Sequence, residues 1–218
     1  MSFLDSIDPR CDALIVVDVQ PDFMPGGPLP AQGGDEVVAP ISRLLDADRF
    51  RHVVATQDWH PPDHVSFASS HPGRAPFETV ELYGAEQVLW PDHCVQGTGG
   101  AQLHPGVPWE KAGLILRKAT DPRVDSYSGF RENVAPDGGR PSTGLAGYLR
   151  DIGVESIYVC GVARDYCVKW TAEDGVAAGF RVHVLWPLTR PVDGAADEAV
   201  RRDLTRAGVT IVDEMDTL

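Results

Sequence analysis

A three-layer α/β/α fold around a mostly parallel six-stranded sheet is what this sequence predicts, on three observations. Short apolar runs rich in β-branched residues recur along the chain, as in Ala13-Leu14-Ile15-Val16-Val17 and Ser156-Ile157-Tyr158-Val159-Cys160. Segments with helical spacing of apolar residues lie between several of them. The runs are continuous rather than alternating, as strands buried on both faces of a parallel sheet are. At 218 residues the chain is long enough for one well-packed core and short for two. It carries no internal repeat, low-complexity tract or linker, so a single domain over residues 1–218 is expected.

The first strand, 13–17, stops at Asp18, and Pro- and Gly-rich residues follow to Gly34. Val37, Ile41, Leu44 and Leu45 give residues 36–46 helical spacing. Residues 52–56 form a second strand that ends just before Asp58. Residues 59–111 are rich in Pro, Gly and His; so long a stretch without periodicity is usually functional or an excursion packed on the core. A third strand, 114–116, runs into Arg117-Lys118. A loop over 122–141 precedes a helix over 143–152, with Ser142 as its cap. The fourth strand is 156–160, followed by a helix over 165–178 closed by Gly179. The fifth strand is 182–185, then a helix over 193–207 ends at Gly208, and 209–212 is the sixth strand. In open parallel sheets ligands bind beyond the C-terminal strand ends. Asp18, Asp58, Lys118 and the loop before Cys167 all follow strand ends, so four reactive segments converge on one edge.

Composition narrows the function classes. The net charge of −13, with no basic stripe, argues against nucleic acid as a partner. No run approaches the roughly 18 consecutive apolar residues of a membrane span, so no membrane partner is expected. The N-terminus lacks the basic start and apolar stretch of a signal peptide, which points to the cytoplasm. Cys11, Cys94, Cys160 and Cys167 form no C-x-x-C pair, and a disulfide framework is not expected in that compartment.

Gly161-Val162-Ala163-Arg164-Asp165-Tyr166-Cys167 links a strand to a helix and puts Cys167 in the helix's first turn. Backbone N–H groups and the helix dipole there favour a thiolate and predict a lowered thiol pKa. The same N–H groups could hold an oxyanion. The layout is that of a nucleophile elbow without G-x-S-x-G; it fits equally a buried cysteine with Asp165 as helix cap. Asp18 can serve as a general acid/base or simply form a turn before Pro21 and Pro25. Lys118 alone fits a solvated surface lysine. No histidine lies near Cys167 in sequence, so a lysine and an aspartate would have to hold charge and move the proton. The segment Asp58-Trp59-His60-Pro61-Pro62-Asp63-His64, with His93 further on, offers ligands for zinc, iron or manganese. Loop histidines are also common surface groups. His71 and His104 are spare candidates.

With these residues in view, the chain resembles the nicotinamidase/pyrazinamidase branch of the isochorismatase-like cysteine hydrolases. The matching segments are VVDVQPDFMPGGPLP, ATQDWHPPDHVSFASSHPG, LWPDHCVQGTGGAQLHP, RKATDPRVDSYSGF and GVARDYCVKWTAEDG, in the same order as in the family. The resemblance implies the isochorismatase-like hydrolase fold and hydrolysis of nicotinamide to nicotinate and ammonia through a cysteine thioester, with pyrazinamide as a further substrate. It places the nucleophile on Cys167, the lysine on Lys118 and the third member of the triad on Asp18. It implies one divalent metal ion, zinc before iron or manganese, on Asp58, His60, His64 and His93. It implies an oxyanion hole from the N–H groups of Ala163 and Cys167, with a cis peptide at Val162–Ala163. Phe23 and Trp90 match aromatics that flank the substrate ring, and Tyr127 matches a pocket-side tyrosine. One departure is Arg164, where many relatives have threonine.

Within the superfamily, amidohydrolases of ureido or carbamoyl amides share the Asp, Lys and Cys but typically lack the metal cluster. Isochorismatase chemistry does not require the cysteine. A non-catalytic binding protein on this fold would be marked by loss of Asp18, Lys118 or Cys167, and all three are present. Self-association into a homo-oligomer is compatible with the chain but not specified by it.

Overall fold

The computed structural model describes residues 3–215; residues 1–2 and 216–218 of the predicted domain lie outside them. In chain order the elements are β1 (Asp12–Val17), α1 (Val38–Asp46), β2 (His52–Asp58), β3 (Thr79–Leu82), β4 (Ala85–Val88), β5 (Leu114–Lys118), α2 (Leu145–Asp151), β6 (Ser156–Val162), α3 (Lys169–Ala177), β7 (Arg181–Arg190), α4 (Asp197–Ala207) and β8 (Thr210–Val212). Six strands form one sheet in the order β5-β2-β1-β6-β7-β8, and every neighbouring pair is parallel.

The continuous apolar runs are explained by what covers the sheet. Side chains alternate between faces along a strand. Leu14 and Val16 of β1 lie in one apolar cluster with Ile41, Leu44 and Leu45 of α1. Ala13, Ile15 and Val17 lie in the other, with Leu145 and Leu149 of α2, Ala172 of α3, and Val200 and Leu204 of α4. Each large aliphatic side chain buried this way contributes about 1.5–3 kcal/mol, so neither face of the central strands could be polar without a heavy cost. None of the helices among the described residues is long and apolar enough to cross a membrane.

The chain passes outward from β1 through β2 to β5, then returns to β6 beside β1 before passing to β7 and β8. The crevice between β1 and β6 is therefore the topological switch point, where open α/β sheets bind ligands. Backbones approach closely there. Gly161 pairs with Val17 at a φ of +110°, and a Cβ on it would sit 2.1 Å from the Val17 carbonyl oxygen, so only glycine fits.

Local departures from the predicted elements have physical causes. The 59–111 excursion contains the antiparallel hairpin β3–β4, whose residues are exposed or half-buried apart from the polar Gln87 and give little hydrophobic signal. Ser142 does not cap α2: its hydroxyl accepts the Gly144 N–H, and Thr143 Oγ1 accepts the Leu145 N–H where the helix starts. The helix predicted from 165 begins as a wider π turn, Arg164–Val168, before α3. Asp165 does not cap that turn, because its carboxylate accepts the N–H groups of Val192 and Asp193 instead. The predicted fifth strand ends before Pro187, but β7 resumes beyond it: Val159 pairs with Val184 and Gly161 with Thr189, so Leu185 to Leu188 bulge out of register.

Candidate active site

Four strand ends deliver the chemical groups. Asp18 follows β1 at a φ of +47° and is fully buried. Its N–H donates to Thr56 Oγ1 (3.2 Å), and the Thr56 hydroxyl donates to Asp18 Oδ1 (2.7 Å), so the side chain is fixed from both ends. Lys118, the last residue of β5, is also fully buried. Its ammonium lies 3.0 Å from Asp18 Oδ2 and donates to Asp58 Oδ1 (2.7 Å) and the Ser126 carbonyl (2.8 Å). Cys167 Sγ lies 3.7 Å from the same nitrogen. Asp58 ends β2 and is anchored by Gln20, which accepts the Asp58 N–H (2.8 Å) and donates to its carbonyl (2.9 Å). The Val162–Ala163 peptide that leads into the Cys167 turn is cis, as the resemblance implies.

Electrostatics divides these groups into distinct roles. Burial alone would lower the Lys118 pKa, but Asp18 and Asp58 outweigh it, and the ammonium is held well above its ordinary range. Burial raises the Asp18 pKa against the pull of Lys118. Burial acts on Asp58 too, but Lys118 and His60 overcome it and keep that carboxyl well below the usual range. Two carboxylates on one ammonium are thus pushed apart, Asp58 downward and Asp18 upward. The Cys167 thiol corrects the sequence expectation. Burial pushes its pKa well up, Lys118 opposes, and the neighbouring carboxylates add to the rise. Its sulfur faces both the Lys118 ammonium and the Asp18 carboxylate.

Asp58 also faces the histidines. Its Oδ2 lies 3.1 Å from His60 Nε2 and 3.4 Å from His93 Nε2, and all three residues are buried. One nitrogen or oxygen from each of Asp58, His60 and His93 falls within the spacing of a single ion's ligands. His60, His64 and Asp125 form a second such group, so His64 is set apart from Asp58 and His93. Its Nδ1 meets Ser66 Oγ (2.8 Å), and its Nε2 meets the carbonyls of Asp121 and Val124. His60 Nδ1 is buried without any hydrogen-bond partner, a costly arrangement. Two imidazoles and a carboxylate that stays ionised, beside that orphaned nitrogen, fit a divalent ion. Pro91 O lies 2.8 Å from His93 Nδ1, leaving Nε2 for the ion. The spare histidines do not join either group: His71 meets the Val65 carbonyl and His104 accepts the Gly106 N–H.

Cys167 and Asp58 open on one cavity whose wall also includes Ala163, His93, Phe23, Trp90 and Tyr127. Trp90 Nε1 and Gln87 Nε2 both donate to the Tyr127 hydroxyl (3.1 and 3.0 Å), which fixes two of the three predicted aromatics to each other. Phe23 meets the His93 ring edge-on at 5.5 Å between centroids. Of the predicted residues, Phe23, Asp58, Trp90, His93, Tyr127, Ala163 and Cys167 line this cavity; Asp18 and Lys118 reach it through Cys167 and Asp58, His60 through Asp58, and His64 does not line it. Sequence reasoning missed Thr56, Asp125, Leu29, Tyr166 and Val192. Thr56 was findable: it lies two residues before Asp58 on a strand, and period two puts both on one face. Asp125, Leu29 and Val192 stand in irregular segments with no periodicity to mark them. Of the other cysteines, Cys94 and Cys160 are buried thiols raised by burial, and all four cysteines are free.

Residues 12–213 match the Isochorismatase domain family. The nicotinamidase of Acinetobacter baylyi is 47% identical over 181 residues, which cover 83% of this chain and 82% of that protein. The crystal structure of PnC1 from L. infantum in complex with nicotinate superimposes with a TM-score of 0.81 at 42% identity, covering 94% of each chain. The pyrazinamidase of Pyrococcus horikoshii in complex with zinc gives a TM-score of 0.73 at 37% identity, covering 93% of this chain and 99% of that one.

Proposed function

The chain belongs to the Isochorismatase domain family, and from that premise we propose that it is a nicotinamidase, hydrolysing nicotinamide to nicotinate and ammonia, with pyrazinamide as a second substrate. The observation that carries this reading is the Lys118 ammonium, ion-paired at once with Asp18 and with an Asp58 that also faces two histidines. That arrangement joins an amide-cleaving thiol to an anchor for a ring nitrogen across a cavity walled by Phe23, Trp90 and Tyr127. In this reading the whole chain works as one domain.

Asp18 takes the proton of the Cys167 thiol, and the thiolate attacks the amide carbon. The oxygen that gains charge is met by the N–H groups of Ala163 and Cys167. Such a donor contributes about 2.7–4 kcal/mol to lowering the barrier. Asp18 returns the proton to the amide nitrogen, the C–N bond breaks and ammonia leaves. Water then attacks the thioester while Asp18 takes its proton; the C–S bond breaks, Asp18 returns that proton to the Cys167 sulfur, and the product acid leaves as nicotinate, its own proton passing to solvent. Lys118 stays charged throughout and holds Asp18 in place. Phe23 and Trp90 confine the ring, and Tyr127 holds the Trp90 indole.

Asp58, His60 and His93, with His64 adjoining, are the residues that would hold the ion, zinc by the chemistry of the donor set. When bound it supplies a Lewis-acidic anchor for the pyridine nitrogen. The test is ammonia release: purified protein given nicotinamide, pyrazinamide and a carbamoyl amide should release ammonia from the first two. Release from the carbamoyl amide alone would overturn the substrate assignment.

A further inference from the structure

Arg164 stands in the middle of the nucleophile turn, one residue after Ala163 and three before Cys167, yet its side chain points away from the cavity. It is only 5% exposed. Its Nε donates to Thr189 Oγ1 (2.8 Å), Nη2 to the Thr189 carbonyl (2.6 Å), and Nη1 to Asp197 Oδ2 (2.5 Å) at the first residue of α4. The guanidinium carbon lies 4.0 Å from the centre of the Trp186 ring. These partners come from the out-of-register part of β7 and the helix after it. A guanidinium suits this place because it is planar, stays charged and donates in several fixed directions at once.

The next residue works on the same segment. The Asp165 carboxylate accepts the N–H groups of Val192 (2.9 Å) and Asp193 (2.8 Å). Val192 lines the same cavity as Ala163 and Cys167. The Pro191 carbonyl in turn accepts the Gln32 N–H (2.7 Å), beside the loop that carries Leu29. Two residues before Ala163, Gly161 is pressed closely on Val17 of β1. The turn is therefore held by backbone contact just before it and by two consecutive charged side chains within it.

We infer that Arg164 is a positioning residue for the reaction: it sets the Ala163–Cys167 turn against the Val192 wall, and so sets where the nucleophile and the oxyanion donors meet a bound amide. The inference rests on the reading of Cys167 as nucleophile. A thiol displaced by a fraction of an ångström from a well-aligned carbonyl loses rate more than binding, so the effect falls on kcat more than on KM.

The experiment compares wild type with Arg164→Met, Arg164→Lys and Thr189→Val, with melting temperatures measured and active sites counted by Cys167 alkylation. For nicotinamide, Arg164→Met should lower kcat per active site about tenfold or more while KM moves by about threefold at most. Arg164→Lys keeps the charge facing Asp197 but loses the fork on Thr189, and should recover about a third of the lost logarithm. Thr189→Val removes one acceptor from a residue outside the cavity, and should cost kcat about threefold if Arg164→Met does not fold. A lowered melting temperature with kcat within about twofold of wild type in the folded variants would overturn the inference and leave Arg164 as a stabilising residue alone. If wild type releases no ammonia, the proposed activity fails by itself. The rate of Cys167 alkylation by iodoacetamide then decides: a change of about fivefold or more in the variants supports the positioning role, and equal rates overturn it.

Discussion

The two halves of the site are held in different ways. Asp18, Lys118 and Cys167 sit at or just past the ends of parallel strands, and the sheet's backbone ladder sets their separations. His60, His64, His93 and Trp90 sit on the 59–111 excursion, where isolated bridges such as His60 to Val95 and Phe67 to Trp90 do the same work. Asp58 belongs to both: one carboxylate oxygen takes Lys118 and the other faces His60 and His93. The difference teaches that, in the proposed reaction, proton transfer would rest on the hydrogen-bonded sheet, while ring recognition would rest on loops that a bound ion would tie together. Damage to the strand half should therefore reach catalysis and stability together, and damage to the loop half should fall first on substrate binding.

The largest effect should come from the strand half. Lys118→Met leaves Asp18 and Asp58 facing each other without a cation in a dry interior. Removing one partner of a buried pair costs about 3–5 kcal/mol, and urea denaturation should show a loss of that size together with loss of turnover. A variant as stable as wild type would break the comparison, because the carboxylates would then not depend on the sheet-borne lysine.

A smaller effect, of another kind, is expected from the loop half. His93→Ala, or removal of the ion by a chelator, should lower kcat/KM about 10–100-fold, carried mainly by KM, and added zinc should restore the chelated enzyme but not the variant. Steady-state kinetics on nicotinamide with metal content measured in parallel would decide. Full activity in protein shown to be free of metal would remove the ion from the site's function.

The smallest effect sharpens the comparison within the loops. Tyr127→Phe deletes the hydroxyl that accepts from both Trp90 and Gln87. It should raise KM about two- to fivefold and leave kcat within about twofold, since a lost neutral hydrogen bond is worth about 0.5–1.5 kcal/mol. A fall in kcat instead would place Tyr127 in the chemistry rather than in ring confinement.

The strand half was largely legible in the sequence. An apolar run that stops at a charged residue marks a strand end, and parallel sheets gather such ends on one edge, so the pattern of the runs alone brings Asp18, Asp58 and Lys118 together. The loop half was legible only as a set of ligand types; which histidines share a face depends on turns such as Ser66 against His64, which no periodicity encodes. Two features were out of reach for a further reason. The Cys167 thiol is raised rather than lowered because burial outweighs its place at a helix start, and depth of burial is a property of the assembled fold. The resumption of β7 beyond Pro187 depends on pairing with Gly161, again a long-range contact.

The central claim is that Cys167, deprotonated by Asp18, forms a thioester with the substrate's acyl group. Its most direct test is intact-protein mass spectrometry on enzyme quenched during turnover of nicotinamide, with the modified peptide mapped. The account expects a nicotinoyl adduct on Cys167, absent from Cys167→Ala, which should also lose about a thousandfold or more in turnover. An adduct on Cys11, Cys94 or Cys160, or substantial turnover by Cys167→Ala, would contradict it.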